Sequence, residues 1–597
     1  MLSSNQDIIH QVTGDFGRWQ LRTVLLVFFC KIPSAWFMAC IIYTAPYPKI
    51  GDYYCKPPLE VNDTKEWIKT SHPIVKESPT DRVFNIDFCN VYADVLQKDF
   101  SKNYSNYMDP FQEPHNFTSG SIIPCEKFNH NSKYHSLITQ FDLVCSRQLL
   151  LCVTQSFHAI GTLIGGIMAT KLLEYISPRR LMYIGMICQI ICGNLTGLVP
   201  SFALHIYFRC LTSLFCAFMY TSGQMILADI TNGKAKLIVT TLFELFWSIG
   251  LILLPGISIF VDDWSYLYIV ISSSTIILVI LHRYITESPR WLIGKGKVEP
   301  TLKVLLEAAA FNNRDIPFDC EERLIELSII QKHPRIEIYW SIWDGTTKKS
   351  YIIAVHLAWV WCVMLYNAML LNIRAFGVDH LHVNTAVMGL TEMVGVFLGL
   401  YLILYTRRRW LWVGYLMIGT GFLTFFIWFV PNTLNELRRV GFDMLFCIGL
   451  KLANAASLSV LTTCTGEMVP LNKRPMLMLS VVTLSRIWLA ISPFILASAL
   501  IHPLIPITLF AFLAVLNGGS MCYLNTKFWN ESAPRIQRVP SVKTYRRKSS
   551  ILLMKRSSTC SELENENLGM AFNISEIWKI SENITNENET DDCLEMR

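Results

Sequence analysis

Of 597 residues, 52% are hydrophobic and 16% are charged, against about 25% charged in a soluble domain. The apolar residues gather into runs of roughly twenty, the length that crosses about 30 Å of hydrocarbon at 1.5 Å per residue, which excludes an ordinary soluble enzyme. The net charge of +6 is small for this length and lies mostly in loops and the tail, so nucleic-acid binding is not expected.

The first twenty residues are polar and end in Gly14-Asp15-Phe16-Gly17-Arg18-Trp19-Gln20. The apolar run that follows is too long for the h-region of a cleavable leader. Membrane-spanning helices are predicted near 21–43, 148–170, 181–200, 203–228, 236–261, 264–284, 351–373, 383–405, 410–430, 440–464, 475–498 and 503–524. Continuous apolar runs of this length do not fit the alternation of barrel strands, and only helices or closed barrels satisfy the backbone in lipid. The chain therefore reads as an all-α polytopic membrane protein of twelve helices.

Positive charge orients it. Lys171, Arg179 and Arg180 fall between helices two and three, Lys234 and Lys236 between four and five, Arg407 to Arg409 between eight and nine, and Lys473 and Arg474 between ten and eleven. With alternating helices these loops share one side, which is expected to be cytosolic together with both termini; Arg438 and Arg439 alone stand against the rule.

Segment 44–147 is expected outside. It holds the sequons of Asn62, Asn103 and Asn116, which predict glycosylation, and four cysteines, Cys55, Cys89, Cys125 and Cys145, which predict two disulfides with three possible pairings. Many of the remaining cysteines fall inside apolar runs and read as small packing residues. Segment 285–350 is a cytosolic linker with an amphipathic helix over Thr301–Asn312. Segment 525–597 is a polar tail of disorder-prone composition. Its Arg546-Arg547-Lys548-Ser549 run suits either a kinase acting at Ser549 or a patch facing membrane lipid.

The chain repeats internally. Asp229 stands seven residues before Lys236, as Glu467 does before Arg474; Arg179-Arg180 matches Arg407-Arg408-Arg409; Glu287-Ser288-Pro289-Arg290 matches Glu531-Ser532-Ala533-Pro534-Arg535. The offsets are about 230–245 residues, the signature of two parallel six-helix halves, here 21–284 and 351–524. Charge pairs formed by Asp229, Lys236, Glu467, Arg474, Arg179, Arg180, Glu287 and Arg290 would close an inner gate in one state and break in the other, or would simply cap helix ends.

Several motifs carry a resemblance. Gly14 to Gln20 resembles a G-x-F-G-x-x-Q opening, and Phe141-Asp142-Leu143-Val144-Cys145 a W-D-L-V-C loop end. Glu287-Ser288-Pro289-Arg290-Trp291-Leu292 matches E-S-P-R-W-L. Leu365-Tyr366-Asn367-Ala368-Met369-Leu370-Leu371-Asn372, Gly389-Leu390-Thr391-Glu392 and Glu467-Met468-Val469-Pro470 resemble V-Y-Y-G-L-x-L-N, G-L-V-E and E-L-Y-P. Together they resemble the organic cation, organic anion and carnitine transporter family of the major facilitator superfamily, over nearly everything but the tail. The chain departs from that pattern in the loop after helix two (Tyr175 to Arg180), in having four loop cysteines rather than six, at Asn367 and at Trp488. The resemblance implies a major facilitator fold, alternating access at the plasma membrane and a small organic ion as cargo.

An ionisable residue inside a membrane helix costs about 2.5–3.5 kcal/mol on insertion scales and so tends to face a cavity and a partner. Lys31, Arg209, Glu244, Glu392, Lys451 and Arg486 qualify. Arg486 is the expected anchor: its planar fork suits a carboxylate, and the resemblance implies arginine here in anion and carnitine carriers and aspartate in cation carriers. The alternative is an internal salt bridge from Arg486 to Glu244 or Glu392. Lys451 is a second positive candidate, Lys31 is expected to snorkel, and Arg209 reads as structural. Tyr220, Trp247, Trp361 and Tyr366 are aromatic candidates for the cavity wall. Glu244 and Glu392 would serve a cation carrier, the rival reading. His158 reads as a packed polar residue, and Gly161 and Gly165 as sites of close helix packing. No phosphate-binding loop, metal-ligand spacing or nucleophile–base pair stands out, so neither ATP hydrolysis, a cofactor nor enzymatic chemistry is expected; a non-transporting membrane receptor or scaffold is the remaining rival.

Overall fold

The computed structural model describes residues 7–46, 48, 51–57, 67–68, 71–75, 85–93, 121–131, 135–331, 343, 348–376, 380–430, 436–470 and 473–532. Asn62, Asn103, Asn116 and Ser549 lie outside them. Among the described residues twelve helices are long and apolar enough to cross a membrane: spans 1 to 6 are Arg18–Thr44, Cys145–Leu172, Pro178–Leu198, Phe202–Ile230, Gly233–Ile259 and Trp264–Tyr284. Spans 7 to 12 are Lys349–Asn372, Leu381–Tyr405, Arg409–Phe429, Val440–Met468, Arg474–Leu500 and Ile505–Lys527.

Two boundaries need correction. The first helix begins at Arg18 rather than 21, because Gly17 ends the polar lead and its backbone N–H is held by the Gln20 side chain at 3.0 Å. The last helix runs Ile505–Ser532, so the tail expected from 525 starts inside it; apolarity ends earlier than helicity does. Span 1 is jointed at Cys30 and Cys40. Pro33 in its middle segment has no N–H to donate to the preceding turn.

Within the first half, span 4 packs along spans 2 and 3, and span 5 packs against span 1; in the second, span 10 packs along 8 and 9, and span 7 along 11. The halves meet where span 5 crosses span 8 and span 2 crosses span 11. Glycine permits the tightest crossings. A Cβ at Gly161 would sit 2.0 Å from Ser213 Oγ and 2.2 Å from the Cys210 carbonyl oxygen, and one at Gly165 would sit 2.4 Å from the Leu214 carbonyl oxygen. Backbone cannot yield as a side-chain tip can, so Gly161→Val is expected to cost roughly 1–3 kcal/mol or more. A clear loss of monodisperse protein and a lower melting temperature in detergent would register it.

The segment between spans 1 and 2 forms three short antiparallel pairings: Tyr53–Cys55 with Phe128–His130, Ile74–Val75 with Asn85–Ile86, and Asn90–Tyr92 with Ile122–Pro124. This brings Cys55 to Cys125 and Cys89 to Cys145, with Cα separations of 5.7 and 5.6 Å, inside the usual disulfide range. One of the three pairings is thereby selected. Non-reducing peptide mapping is expected to recover these two cross-linked fragments, and a Cys55–Cys89 or Cys55–Cys145 link would contradict them. The loop docks on span 6, where Trp264 donates its backbone N–H to the His135 carbonyl and its indole N–H to Gln140 Oε1 at 2.8 Å.

The linker carries helices Pro289–Gly294, Val298–Asn312 and Cys320–Gln331. The expected amphipathic helix thus starts three residues early, at Val298. Its apolar side, with Leu305 and Ala309, joins Ile293, Leu324 and Leu327 and buries Ile8, Ile9 and Val12 of the N-terminal helix Asp7–Thr13. Asn312 clasps the junction: its amide donates to the Thr13 carbonyl at 3.0 Å and to Gln20 Oε1 at 2.9 Å. Its carbonyl accepts from the Trp19 backbone N–H at 3.0 Å.

Candidate functional site

A cavity of about 210 Å³ lies between the halves. Spans 1, 2, 4, 5, 7, 8, 10 and 11 line it, and spans 3, 6, 9 and 12 supply no lining residue among those described. Most of its wall is apolar or aromatic, with a few convergent polar groups, as in small-molecule sites generally.

Helical spacing selects these residues. On span 7, Trp359, Val363 and Tyr366 face the cavity at offsets of four and seven residues, one face of an α-helix. Trp361, expected at the wall, lies off that face and is not a lining residue; Trp359 takes its place. On span 5 Glu244 and Trp247 line the wall, and on span 4 Tyr220 and Gln224.

The buried charges are arranged as two closed groups and one open one. Lys31 Nζ lies 3.0 Å from Glu244 Oε1, with side chains only 8% and 14% exposed. The ammonium also sits over the Phe243, Tyr220 and Trp247 rings at 4.5, 5.5 and 5.7 Å. Lys31 therefore does not snorkel: Pro33 and the joint at Cys30 do not carry it to an interface, and Glu244 holds it inside. In the second half Lys451 Nζ lies 2.8 Å from Glu392 Oε2, at 1% and 5% exposure, and 3.7 Å from the centre of the Tyr366 ring. The Tyr366 hydroxyl donates to the Glu392 carboxylate at 3.0 Å, and Ser248 Oγ donates to it at 3.1 Å from the other half. Trp247 donates to the Tyr366 oxygen at 2.5 Å, a second bond between the halves. Lys451 is not itself a lining residue; it stands behind Glu392.

Arg486 is the open group. Its Nη1 donates to the Thr162 carbonyl across the halves at 2.7 Å, and its guanidinium carbon lies 5.1 Å from the centre of the Tyr220 ring. Gly166 makes room for it, since a Cβ there would be 2.2 Å from Nη1. No carboxylate lies within 4 Å of Arg486 among the described residues. The alternative of a salt bridge to Glu244 or Glu392 is thus corrected, because each glutamate is already taken by a lysine. Counting Lys31, Glu244, Lys451, Glu392 and Arg486, the site carries one net positive charge. Trp488, on the same helix, is 39% exposed on its outer side and does not enter the cavity.

Arg209 is off the cavity. It is 1% exposed and bonded to Gln155 Oε1 at 2.7 Å and to the Tyr268 hydroxyl, a packing role within the first half. Asn367 is likewise buried away from the wall and donates to Ser492 Oγ at 2.6 Å. His158, read from sequence as packed, does line the cavity, as do Ser34, Thr162 and Ser459, which no sequence signal singled out; Thr162 stands one helical turn from His158, which alone could have suggested it.

The expected gate residues pair differently from the repeat pattern. Asp229 accepts from Ser288 Oγ, and Lys236 donates to the Ala228 carbonyl at 3.0 Å. Glu467 pairs with Arg409, not Arg474. Arg290 donates to Asn232 Oδ1 at 2.6 Å, Glu287 accepts from Ser177 Oγ at 3.2 Å, Arg179 donates to the Arg283 carbonyl at 3.1 Å, and the Arg180 backbone N–H caps on Ser177. Each of these stays within one half or joins the first half to the linker that follows it. Near the gate residues Thr241 Oγ1 and Thr463 Oγ1 join the halves at 3.0 Å, and further bonds between the halves lie on the side of the cysteine-bearing loop. Ser156 Oγ donates to the Ala490 carbonyl at 2.6 Å, Arg374 to the Ala45 carbonyl at 3.3 Å, and Tyr43 meets the His382 ring at 5.1 Å.

Comparison with known proteins follows the same lines. The Major Facilitator Superfamily sequence profile matches residues 149–493. Solute carrier family 22 member 3 of Rattus norvegicus is 24% identical over 453 residues, 72% of this chain and 79% of the relative. Organic anion transporter 3 of Oryctolagus cuniculus is 24% identical over 518 residues, 86% and 89% of the two chains. The organic cation transporter protein of Drosophila melanogaster is 22% identical over 433 residues, 71% and 75%. Among solved structures, the proton:xylose symporter XylE bound to 6-bromo-6-deoxy-D-glucose superposes with a TM-score of 0.54 at 13% identity, covering 86% of this chain and 95% of that one.

Proposed function

Because the chain belongs to the Major Facilitator Superfamily and is a multi-pass membrane transporter, we propose that it carries small organic anions or zwitterions through the cavity between its halves, with Arg486 as the anchor. The observation that carries this reading is the single uncompensated guanidinium in a site whose other buried charges are paired. A monoanion would bring the site to neutrality, and its carboxylate would match the fork of the guanidinium. Tyr220, Trp247, Trp359 and Tyr366 would cover the apolar part of the cargo.

The relatives divide between carriers named for cations and for anions, so charge class rests on the site itself. A cation carrier needs a carboxylate free to meet an ammonium, and Glu244 and Glu392 are both engaged by lysines. Alternating access is the mechanism we favour, with the halves rocking about the cavity. The bonds of Ser156, Arg374 and Tyr43 would part when the loop side opens. We place the transporter in the plasma membrane with both termini cytosolic and the cysteine-bearing loop outside. Uptake of labelled anion, zwitterion and cation panels into proteoliposomes tests the charge class. Uptake confined to cations would overturn it, and no uptake of any class would return the protein to the receptor or scaffold reading.

A further inference from the structure

His158 is a lining residue whose chemistry the anchor does not use. It lies on span 2, 3% exposed, with its ring on the cavity. Neither ring nitrogen has a hydrogen-bond partner among the described residues; Nδ1 is fully buried, and Nε2, which is not, is the nitrogen open to a cargo. Leaving a buried polar group unpaired is costly, so an orphan at this position needs a reason. One turn further along the same face, Thr162 also lines the cavity, and its carbonyl holds Arg486. The imidazole and the guanidinium therefore border one wall of one cavity.

Resting on the anion reading above, we propose that His158 is a substrate-contacting, specificity-determining residue that binds a hydroxyl group carried by the same molecule whose carboxylate Arg486 holds. The preferred cargo is then a hydroxylated monocarboxylate. In its uncharged form an imidazole offers one N–H donor and one lone pair, and a hydroxyl is the group that can use either. A second carboxylate on the cargo is disfavoured, because Arg486 is the single cation of the site left without an acidic partner among the described residues. An ammonium on the cargo is served poorly as well, because both cavity glutamates are taken. The aromatic wall formed by Tyr220, Trp247, Trp359 and Tyr366 suits an aryl or compact apolar body.

Mandelate with phenylacetate, and tropate with 2-phenylpropanoate, are matched probes, each pair differing by one hydroxyl and the two placing it at different reach. Proteoliposome uptake by the wild type is expected to show a KM roughly tenfold lower for the hydroxylated acid of at least one pair. His158→Phe is expected to raise that KM to the level of the deoxy acid with little change in the maximal rate. His158→Gln, which keeps a donor and an acceptor, is expected to retain part of the preference. Equal KM values within both pairs for the wild type, or a preference that survives in His158→Phe, would overturn the proposal. The wild-type comparison decides even where the phenylalanine variant fails to fold. Arg486→Ala separates the two levels of inference: loss of all four acids leaves the anchor standing whatever His158 does, whereas unchanged uptake of all four removes the anion reading itself.

Discussion

Arg486→Ala is expected to reduce organic-anion uptake by thirtyfold or more at sub-saturating concentration while the folded protein remains abundant. Truncating one member of a buried, hydrogen-bonded charge pair costs about 2–5 kcal/mol, and each 1.4 kcal/mol is about tenfold in affinity. The residue has no internal carboxylate to strand when it is removed, so the loss falls on the cargo rather than on the fold. What the protein loses is one bond to the Thr162 carbonyl and the contact over Tyr220. Arg486→Lys should fall between the two, since an ammonium keeps the charge but not the fork. Arg486→Asp inverts the charge of the site and should abolish anion uptake altogether. The measurement is the initial rate of labelled anion uptake normalised to protein in the liposome. Anion transport that survives both Arg486→Ala and Arg486→Asp would refute the anchor.

The second large effect concerns stability. Lys451→Met is expected to cost about 3–5 kcal/mol, because it leaves the Glu392 carboxylate buried without its cation. The two hydroxyls that donate to Glu392, from Tyr366 and Ser248, would remain, but they do not neutralise it. Adding Glu392→Gln to Lys451→Met removes the stranded charge and keeps the hydrogen-bond acceptor, so the double variant should recover most of the loss. This non-additivity is the signature of a buried pair. Thermal unfolding in detergent, followed by size-exclusion chromatography, reads it directly. If the lysine variant melts with the wild type, the pair contributes nothing and Lys451 must be sought in transport instead. Because Ser248 belongs to the first half and Glu392 to the second, the same variants should also alter the rate at which the halves exchange states.

The membrane architecture was legible because a span must be apolar over the whole length that crosses the hydrocarbon, and a run of twenty apolar residues is a local property. The repeat offset and the basic loops located the two halves for the same reason. Charged residues inside spans were also visible one at a time, so Lys31, Glu244, Glu392, Lys451 and Arg486 could be marked as candidates. Their partners could not. The choice between Arg486–Glu244 and Lys31–Glu244 depends on how span 1 crosses span 5, and on the Gly166 gap that draws Arg486 toward span 2. The partners of the gate residues were hidden in the same way: Asp229 and Lys236 recur at a fixed spacing with Glu467 and Arg474, but it is packing that brings Ser288 to Asp229 and Arg409 to Glu467 in this state. Trp361 was an error of another kind, since a 3.6-residue period read from Tyr366 already points to Trp359.

From the residues alone come the twelve spans, the two halves, the cysteine-bearing loop and the inventory of costly buried charges, because hydrophobic length and charge density are written along the chain. Tertiary structure decided which of those charges cancel, which cysteines meet and which one guanidinium is left over. Pairing is a matter of distance between segments hundreds of residues apart, and side-chain reach of a few ångströms discriminates among candidates that sequence presents as equal.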